Sequence, residues 1–477
     1  MNIKKNIYYF VLFAFFCSKS YATNLTLDKY ISQVKGDNLV IEKSSKSTES
    51  LELLKRKADL INSIKLYGFS EYVKSEPNRA LQFIRYQSVV NQNNRIGLSQ
   101  DSEYGFNTNL FYSLNSTRYN DFNPAFNTNS LAGKNFQTIP VVEINISLWQ
   151  NFLGKITKAK IDNTIYDNLA QKYSAKSLSL NELISAEKSF WMLVYAKKAF
   201  EIQSRALYGA EKILSHLTKK EQMNLAEKSD VLQAKATVQT KKLLVNQAEN
   251  FLKICSRDFN KRRNINSDEV SENLVSFDIN KLSSIKFINQ KANDRYDIKS
   301  QKASLEASIA LATIEEENNK PKFNLYASYS LNQVESERLR AIRNSIDRNA
   351  PITKIGVELS MPINVGMSSD IRQGSRLKAS SEKIALREKI FQQEVDWNNL
   401  QQNLLDYQEN LKLANLVEQS QKIKLENERK LLSQGRTSIY QILVFEQEFS
   451  NSELNTQQLA QKLHELLAEQ KLYQTEN

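Results

Sequence analysis

The chain has 477 residues, 65 basic and 53 acidic, for a formal charge of +12, with only two cysteines and two histidines. Such a length suits two or three ordinary domains or one elongated one, and so few Cys and His exclude a disulfide framework or a Cys/His metal cluster as the organising chemistry. Opposite charges are interspersed, as on solvated helix faces, so the basic balance does not indicate a nucleic-acid partner.

The first 22 residues place Lys4 and Lys5 before a short apolar run and close on Ser20-Tyr21-Ala22. That is the pattern of a secretory signal cut after Ala22, and the run is far shorter than the roughly 20 residues of a spanning helix. Cys17 follows Phe16, which is too bulky for a lipoprotein processing site. Cleavage removes Lys4, Lys5 and Lys19, lowers the charge to +9 and leaves Cys255 as the one cysteine. No later apolar run reaches spanning length, so membrane insertion would have to use strands.

Two strand-like segments come next. In "FNTNLFYSLN" (106–115), Phe106, Leu110 and Tyr112 share a face opposite Asn107 and Asn109, with Phe111 out of pattern. It either narrows an interior or marks a bulge. In "VVEINISLWQ" (141–150), Val142, Ile144 and Ile146 oppose Glu143 and Asn145. This is the period-two alternation of strands, near the length a transmembrane strand needs.

From residue 154 to about 220 there is no proline, and Ile161, Ile165, Leu169 and Tyr173 step by four. This apolar stripe predicts a long amphipathic helix, about 100 Å for some 65 residues. A return helix is expected over 229–254. Residues 323–332, "FNLYASYSLN", and 355–361, "IGVELSM", alternate again, and 366–434 carries Leu377, Ile384 and Phe391 at heptad spacing. Residues 439–473 form the second return helix. The offset is 217 from Phe106 to Phe323 and 215 from Glu143 to Glu358, so the chain is a tandem duplication of strand, strand, long helix and return helix.

Four strands cannot close a barrel, and an open edge in lipid leaves backbone groups unpaired. The strands must therefore pair between copies of the chain. The competing reading is a periplasmic coiled-coil structural or adaptor protein with a soluble β domain. Trp191 and Trp397 read as core residues. His216 and His464 have no Cys or His neighbour at ligand spacing, and no phosphate-binding glycine loop or nucleophile–base pair is present, so no enzymatic activity and no cofactor are expected.

Three stretches resemble the TolC-like outer membrane efflux proteins: "KPKFNLYASYSLN", "VELSMPINVG" with its diverged first copy "LWQNFLGK", and "LLSQGRTSIYQIL" with "MNLAEKSDVLQAKATV". The resemblance implies a mainly α protein with a transmembrane barrel. It would be a homotrimer with four strands per chain in a shared 12-stranded barrel, above a long periplasmic coiled-coil tunnel. It implies an outer membrane exit duct for drug efflux or type I secretion, partnered by a periplasmic adaptor and an inner-membrane pump or ABC transporter. On this division 1–22 is the signal and 23–104 holds lead-in helices. The first strand pair spans 105–150, and the first helical hairpin 151–254. Residues 255–320 form a mid-tunnel segment with the second lead-in helix, followed by the second strand pair, 321–365, and the second hairpin, 366–477. Asn107, Asn109, Glu143, Asn145, Asn324 and Glu358 are expected to line the barrel. Helix reversal at the tunnel tip needs positive φ, which Gly435 and Asn224 tolerate best. In the family, tip acids with Arg and Tyr partners constrict the pore; Asp230, Arg436 and Tyr440 are the candidates here, and Gln441 stands where the second repeat would carry an acid. Alternatively, Asp230 caps the return helix.

Overall fold

The computed structural model describes residues 24–76, 88–120, 134–288, 291, 295–347 and 350–474. The expected signal peptide and Cys17 lie outside them. In chain order the elements are β1 (Asn24–Leu25), α1 (Leu27–Asp37), α2 (Leu39–Leu54), α3 (Lys57–Ile61), β2 (Lys65–Ser75), β3 (Ser88–Asp101), β4 (Phe106–Asn120) and β5 (Lys134–Ser147). There follow α4 (Lys155–Gln222), α5 (Lys228–Arg262), β6 (Asn273–Leu274), α6 (Ile279–Ser283), α7 (Tyr296–Asn318) and β7 (Lys322–Leu331). The chain closes with β8 (Gln333–Glu335), α8 (Arg338–Arg343), β9 (Pro351–Ser360), α9 (Val365–Ser433) and α10 (Ile439–Gln470).

The chain divides into two units, 44–177 with 294–394 and 1–43 with 178–293 and 395–477. The first holds an antiparallel sheet in the order β2-β3-β4-β5-β7-β9, with β8 pairing the outer part of β5. β5 contains Pro140, which has no N–H to give to a ladder. The strand tolerates it because its partner changes there: Val141–Ser147 pair with β7, Phe136–Thr138 with β8, and Pro140 falls in the gap, where a missing N–H breaks no ladder on that side. In the same unit α7 packs along the start of α4, where Asn163 Nδ2 donates to the Ala307 carbonyl (2.9 Å) and Ser300 Oγ to the Ala170 carbonyl (2.8 Å).

The four expected strands are present as β4, β5, β7 and β9, but among the described residues the sheet has six long strands, not four. β2 and β3 form an added hairpin within the stretch expected to hold only lead-in helices. Neither alternates cleanly. β2 carries Leu66, Tyr67, Phe69, Tyr72 and Val73 on both faces, and β3 is rich in Asn and Gln, which have weak strand propensity.

The second unit contains the remainder of the long helices, α5, α6 and α10. One core cluster stacks Tyr30 on Phe259 (4.1 Å) beside Phe190 and Trp191, and the Tyr30 hydroxyl bonds Ser189 Oγ and donates to the Phe259 carbonyl, each at 3.1 Å. Burial holds that phenol protonated, its pKa pushed well up. Arg262 grips Glu182 with two bonds of 2.9 and 3.0 Å. A second cluster gathers Leu282, Trp397, Leu404, Leu411, Leu463 and Tyr473. Trp191 and Trp397 are thus core residues, as expected. β1 pairs in parallel with β6, tying the start of the described chain to the segment after α5. Among the described residues no helix is long and apolar enough to cross a membrane.

Candidate functional site

The two faces of the sheet differ in chemistry. Because directly opposed residues of an antiparallel ladder share a face, the register sorts the side chains without ambiguity. One face carries Leu98, Leu110, Val142 and Tyr329 in one row and Ile144, Ala327 and Ile355 in the next. Its apolar side chains stand out into the surroundings; Leu66 is 72% exposed and Ile355 75%. A contiguous apolar face of this kind, made of residues that would ordinarily be buried, marks a surface with an apolar partner.

The other face carries every candidate lining residue. Asn107 opposes Asn145, Asn109 opposes Glu143, and Asn324 opposes Glu358. Asn107 Nδ2 donates to Asp101 (2.8 Å), and Lys322 Nζ lies 3.7 Å from Glu358. Near the ends of the strands from which α4 and α9 depart, a cleft of ≈ 370 Å³ brings together Asn107, Asn145 and Asn324 with Asp101, Lys160 and Lys322. Asn324 is only 3% exposed and its Oδ1 has no hydrogen-bond partner within the chain.

Phe111 lies on this polar face. β4 keeps an unbroken register with β3 and β5 through position 111, so there is no bulge. Instead Phe111 opposes Gly97, where an added Cβ would sit 2.5 Å from the Phe111 Cβ and 2.8 Å from the Tyr67 ring. The two aromatic side chains cover the glycine, and the Arg95 guanidinium lies 4.5 Å from the Phe111 ring centre. Sequence reasoning missed this cluster because Tyr67, Arg95 and Gly97 sit on the unexpected hairpin.

At the junction of the first strand pair and α4, Gly105 (φ 82°) and Gly154 (φ 75°) approach each other. A Cβ on Gly154 would lie 1.6 Å from the Glu103 carbonyl oxygen. This close passage explains the glycine of "LWQNFLGK".

The helix tips form the third candidate site. Asn224 has φ 54° and Gly435 φ 71°, the positive values expected for both. Each closes its helix with the same bond: Leu225 N–H to the Lys220 carbonyl (2.8 Å) and Arg436 N–H to the Leu431 carbonyl (3.0 Å). The same cap ends α5 at Asn264. Ser438 begins α10 as its N-cap, its Oγ accepting from Gln441 N–H (3.2 Å). Its counterpart Glu227 begins α5 with no side-chain cap, so Asp230 lies in the first turn and is not the capping residue. The two turns share a cleft of ≈ 340 Å³ lined by Leu217, Asp230, Gln233, Gly435 and Tyr440. Asp230 and Tyr440 are therefore brought together. Arg436 is exposed at the turn and does not line the cleft.

No family model matches the sequence, and no curated protein does. Solved structures do. The outer membrane protein VceC of Vibrio cholerae matches with a TM-score of 0.64 at 13% identity, over 93% of this chain and 94% of that one. The outer membrane channel CmeC of Campylobacter jejuni matches at 0.63 and 13%, over 99% and 93%. The open-state outer membrane channel MtrE of Neisseria gonorrhoeae matches at 0.64 and 12%, over 94% and 88%. Almost the whole chain therefore shares the fold of these outer membrane channels.

Proposed function

We propose that the chain is an outer membrane exit duct: three copies share a barrel in the lipid, and the paired long helices continue it into the periplasm. The observation that carries this reading is the two-faced sheet. Its apolar face is exposed where a soluble protein would cover it, and six strands fall short of the eight of the smallest closed barrel. In lipid the free edges of β2 and β9 would leave backbone groups unpaired at several kcal/mol each, so the edges must meet other copies. The polar face then becomes the lumen lining, with Asn107, Asn109, Glu143, Asn145 and Glu358 facing the water and Asn324 buried behind them. The tip cleft becomes the periplasmic constriction, with Asp230 and Tyr440 at it and Arg436 and Gln441 on the same turns, where an adaptor protein would dock. The duct would carry cargo delivered by an inner-membrane pump or ABC transporter, and the protein would be a channel, not an enzyme.

Deletion of the gene, followed by screens for drug sensitivity and for lost protein secretion, tests this role. Either phenotype, restored by the intact gene and not by one encoding Gly154→Ala, supports the duct. Unchanged sensitivity and unchanged secretion would count against it.

A further inference from the structure

The apolar face of the sheet ends at a defined row. Ile96, Tyr112 and Pro140 share its last apolar row, and the next row outward is Ser70, Asn94 and Thr138, with Leu114 its one apolar member. From Ile146, beside the departure of α4, to Thr138 is nine residues (138 to 146), the length of a transmembrane strand. Thr138 therefore stands where the apolar band gives way to a polar zone, at the end of the sheet away from the long helices.

α8 lies over this row. Thr138 is fully buried, and its Oγ1 donates to the Ala341 carbonyl of α8 (2.9 Å). Just past the helix, Asn344 Nδ2 donates to Glu335 (3.1 Å), which opposes Phe136 on the same face of the sheet. Ala341 and Ser345, one turn apart, are buried. The other side of the turn carries Leu339, Ile342 and Ile346 at i, i+3, i+7 spacing, with Leu339 and Ile346 each 76% exposed. Arg338 and Arg343 flank this apolar stripe, both exposed. Of the two acids that lead into α8, Glu337 pairs with Arg340 (3.4 Å) and Glu335 is held by Asn344 and Gln333. Among the described residues neither Arg338 nor Arg343 meets a carboxylate. Farther out on the same face Arg118 opposes Lys134, and both are exposed.

We infer that α8 seats the barrel in the outer leaflet by binding the phosphorylated headgroup of a lipid. Leu339, Ile342 and Ile346 enter the acyl boundary, and Arg338 and Arg343 hold the phosphate oxygens. This rests on the duct reading above. A guanidinium meets phosphate with two parallel bonds and keeps its charge at any physiological pH. The apolar stripe between the arginines, continuous with the apolar band below, selects a lipid over a free anion.

Native mass spectrometry of the detergent-solubilised full-length oligomer, titrated with the bisphosphorylated glycolipid lipid A, tests the site. The parent should bind lipid A about tenfold more tightly than its dephosphorylated form, and the double variant Arg338→Gln, Arg343→Gln should lose that advantage. Lys354→Gln removes an exposed cation from the polar face and should bind as the parent does. Equal binding of the two lipid forms by the parent, or undiminished lipid A binding by a double variant that still forms the heat-resistant oligomer, would overturn the inference. Displacement of lipid A by inorganic phosphate would assign the arginines to a soluble anion and overturn it too. In a Cys255→Ala background, a bimane on Ile346→Cys should be quenched by nitroxide-headgroup lipid in vesicles holding the oligomer. An inserted oligomer without quenching, its α8 covered by another copy or another protein, would overturn the inference and leave the duct reading intact. A monomer that enters no vesicle would defeat the duct reading itself.

Discussion

Replacing Gly154 with alanine attacks the passage from sheet to helix at its tightest point. The backbone there has φ 75°, which costs an L-residue about 1–2 kcal/mol. The new Cβ would sit 1.6 Å from the Glu103 carbonyl oxygen, so the turn between β3 and β4 has to move by more than an ångström. That turn is held by the Gly105 N–H to Ser102 carbonyl bond (3.3 Å) and the Ser147 N–H to Gly105 carbonyl bond (3.0 Å). Losing both adds about 2 kcal/mol, for a total of about 3–4 kcal/mol, at the severe end for a single substitution. Gly374 is the control. It lies exposed inside α9 with nothing within 4 Å of an added Cβ, so Gly374→Ala should stabilise by about 1 kcal/mol. Urea denaturation of the detergent-solubilised protein, followed by loss of the heat-resistant oligomer, measures both. If Gly154→Ala lies within about 0.5 kcal/mol of the parent, the close passage at Glu103 is wrong.

At the tips, Gly435→Ala and Asn224→Ala should each cost about 1 kcal/mol, while Asn224→Gly should be neutral or slightly stabilising, read by the same denaturation. His464 stacks on Trp191 (3.5 Å), and burial holds its pKa down, to about 4, with Lys281 and Lys471 adding to the effect. The unfolded chain protonates this histidine near pH 6.5 and the folded one does not, so stability should fall as pH drops from about 6.5 to about 4. The loss is on the order of 3 kcal/mol. Titrated denaturation should lose that slope in His464→Phe. The buried Cys255 thiol is pushed up to about 11. It should resist maleimide at neutral pH in the folded protein and react once urea unfolds it.

The helices and four of the strands were legible because each rests on one dominant period. Ile161, Ile165, Leu169 and Tyr173 mark α4, and α4 and α9 start and end within two residues of the expected positions, whereas the return helix α5 runs to Arg262, eight residues past the expected 254 and into the stretch assigned to the mid-tunnel segment. The tips were legible from Asn224 and Gly435, since few residues accept positive φ. The hairpin β2–β3 was not, because its face assignment comes from neighbours: Gly97 and Arg95 make sense only beside Phe111, 14 residues away from Gly97 across the ladder. Nor was the first half of β5, since Pro140 breaks a strand unless its partner also changes at that point. At the tips, sequence placed Arg436 with Asp230 and Tyr440. The cleft takes the latter two and leaves the arginine outside, because it lies one residue beyond the cap, on the exposed side of the turn.

The duct requires that lipid cover the exposed apolar face of the sheet and that other copies cover its edges. Separation of cell envelopes on a density gradient, with electrophoresis of heated and unheated samples, tests that directly. A lipid-facing sheet with edges paired between copies puts the protein in the outer membrane fraction, migrating as an oligomer until heated. Recovery as a periplasmic monomer, with the same migration before and after heating, would contradict it.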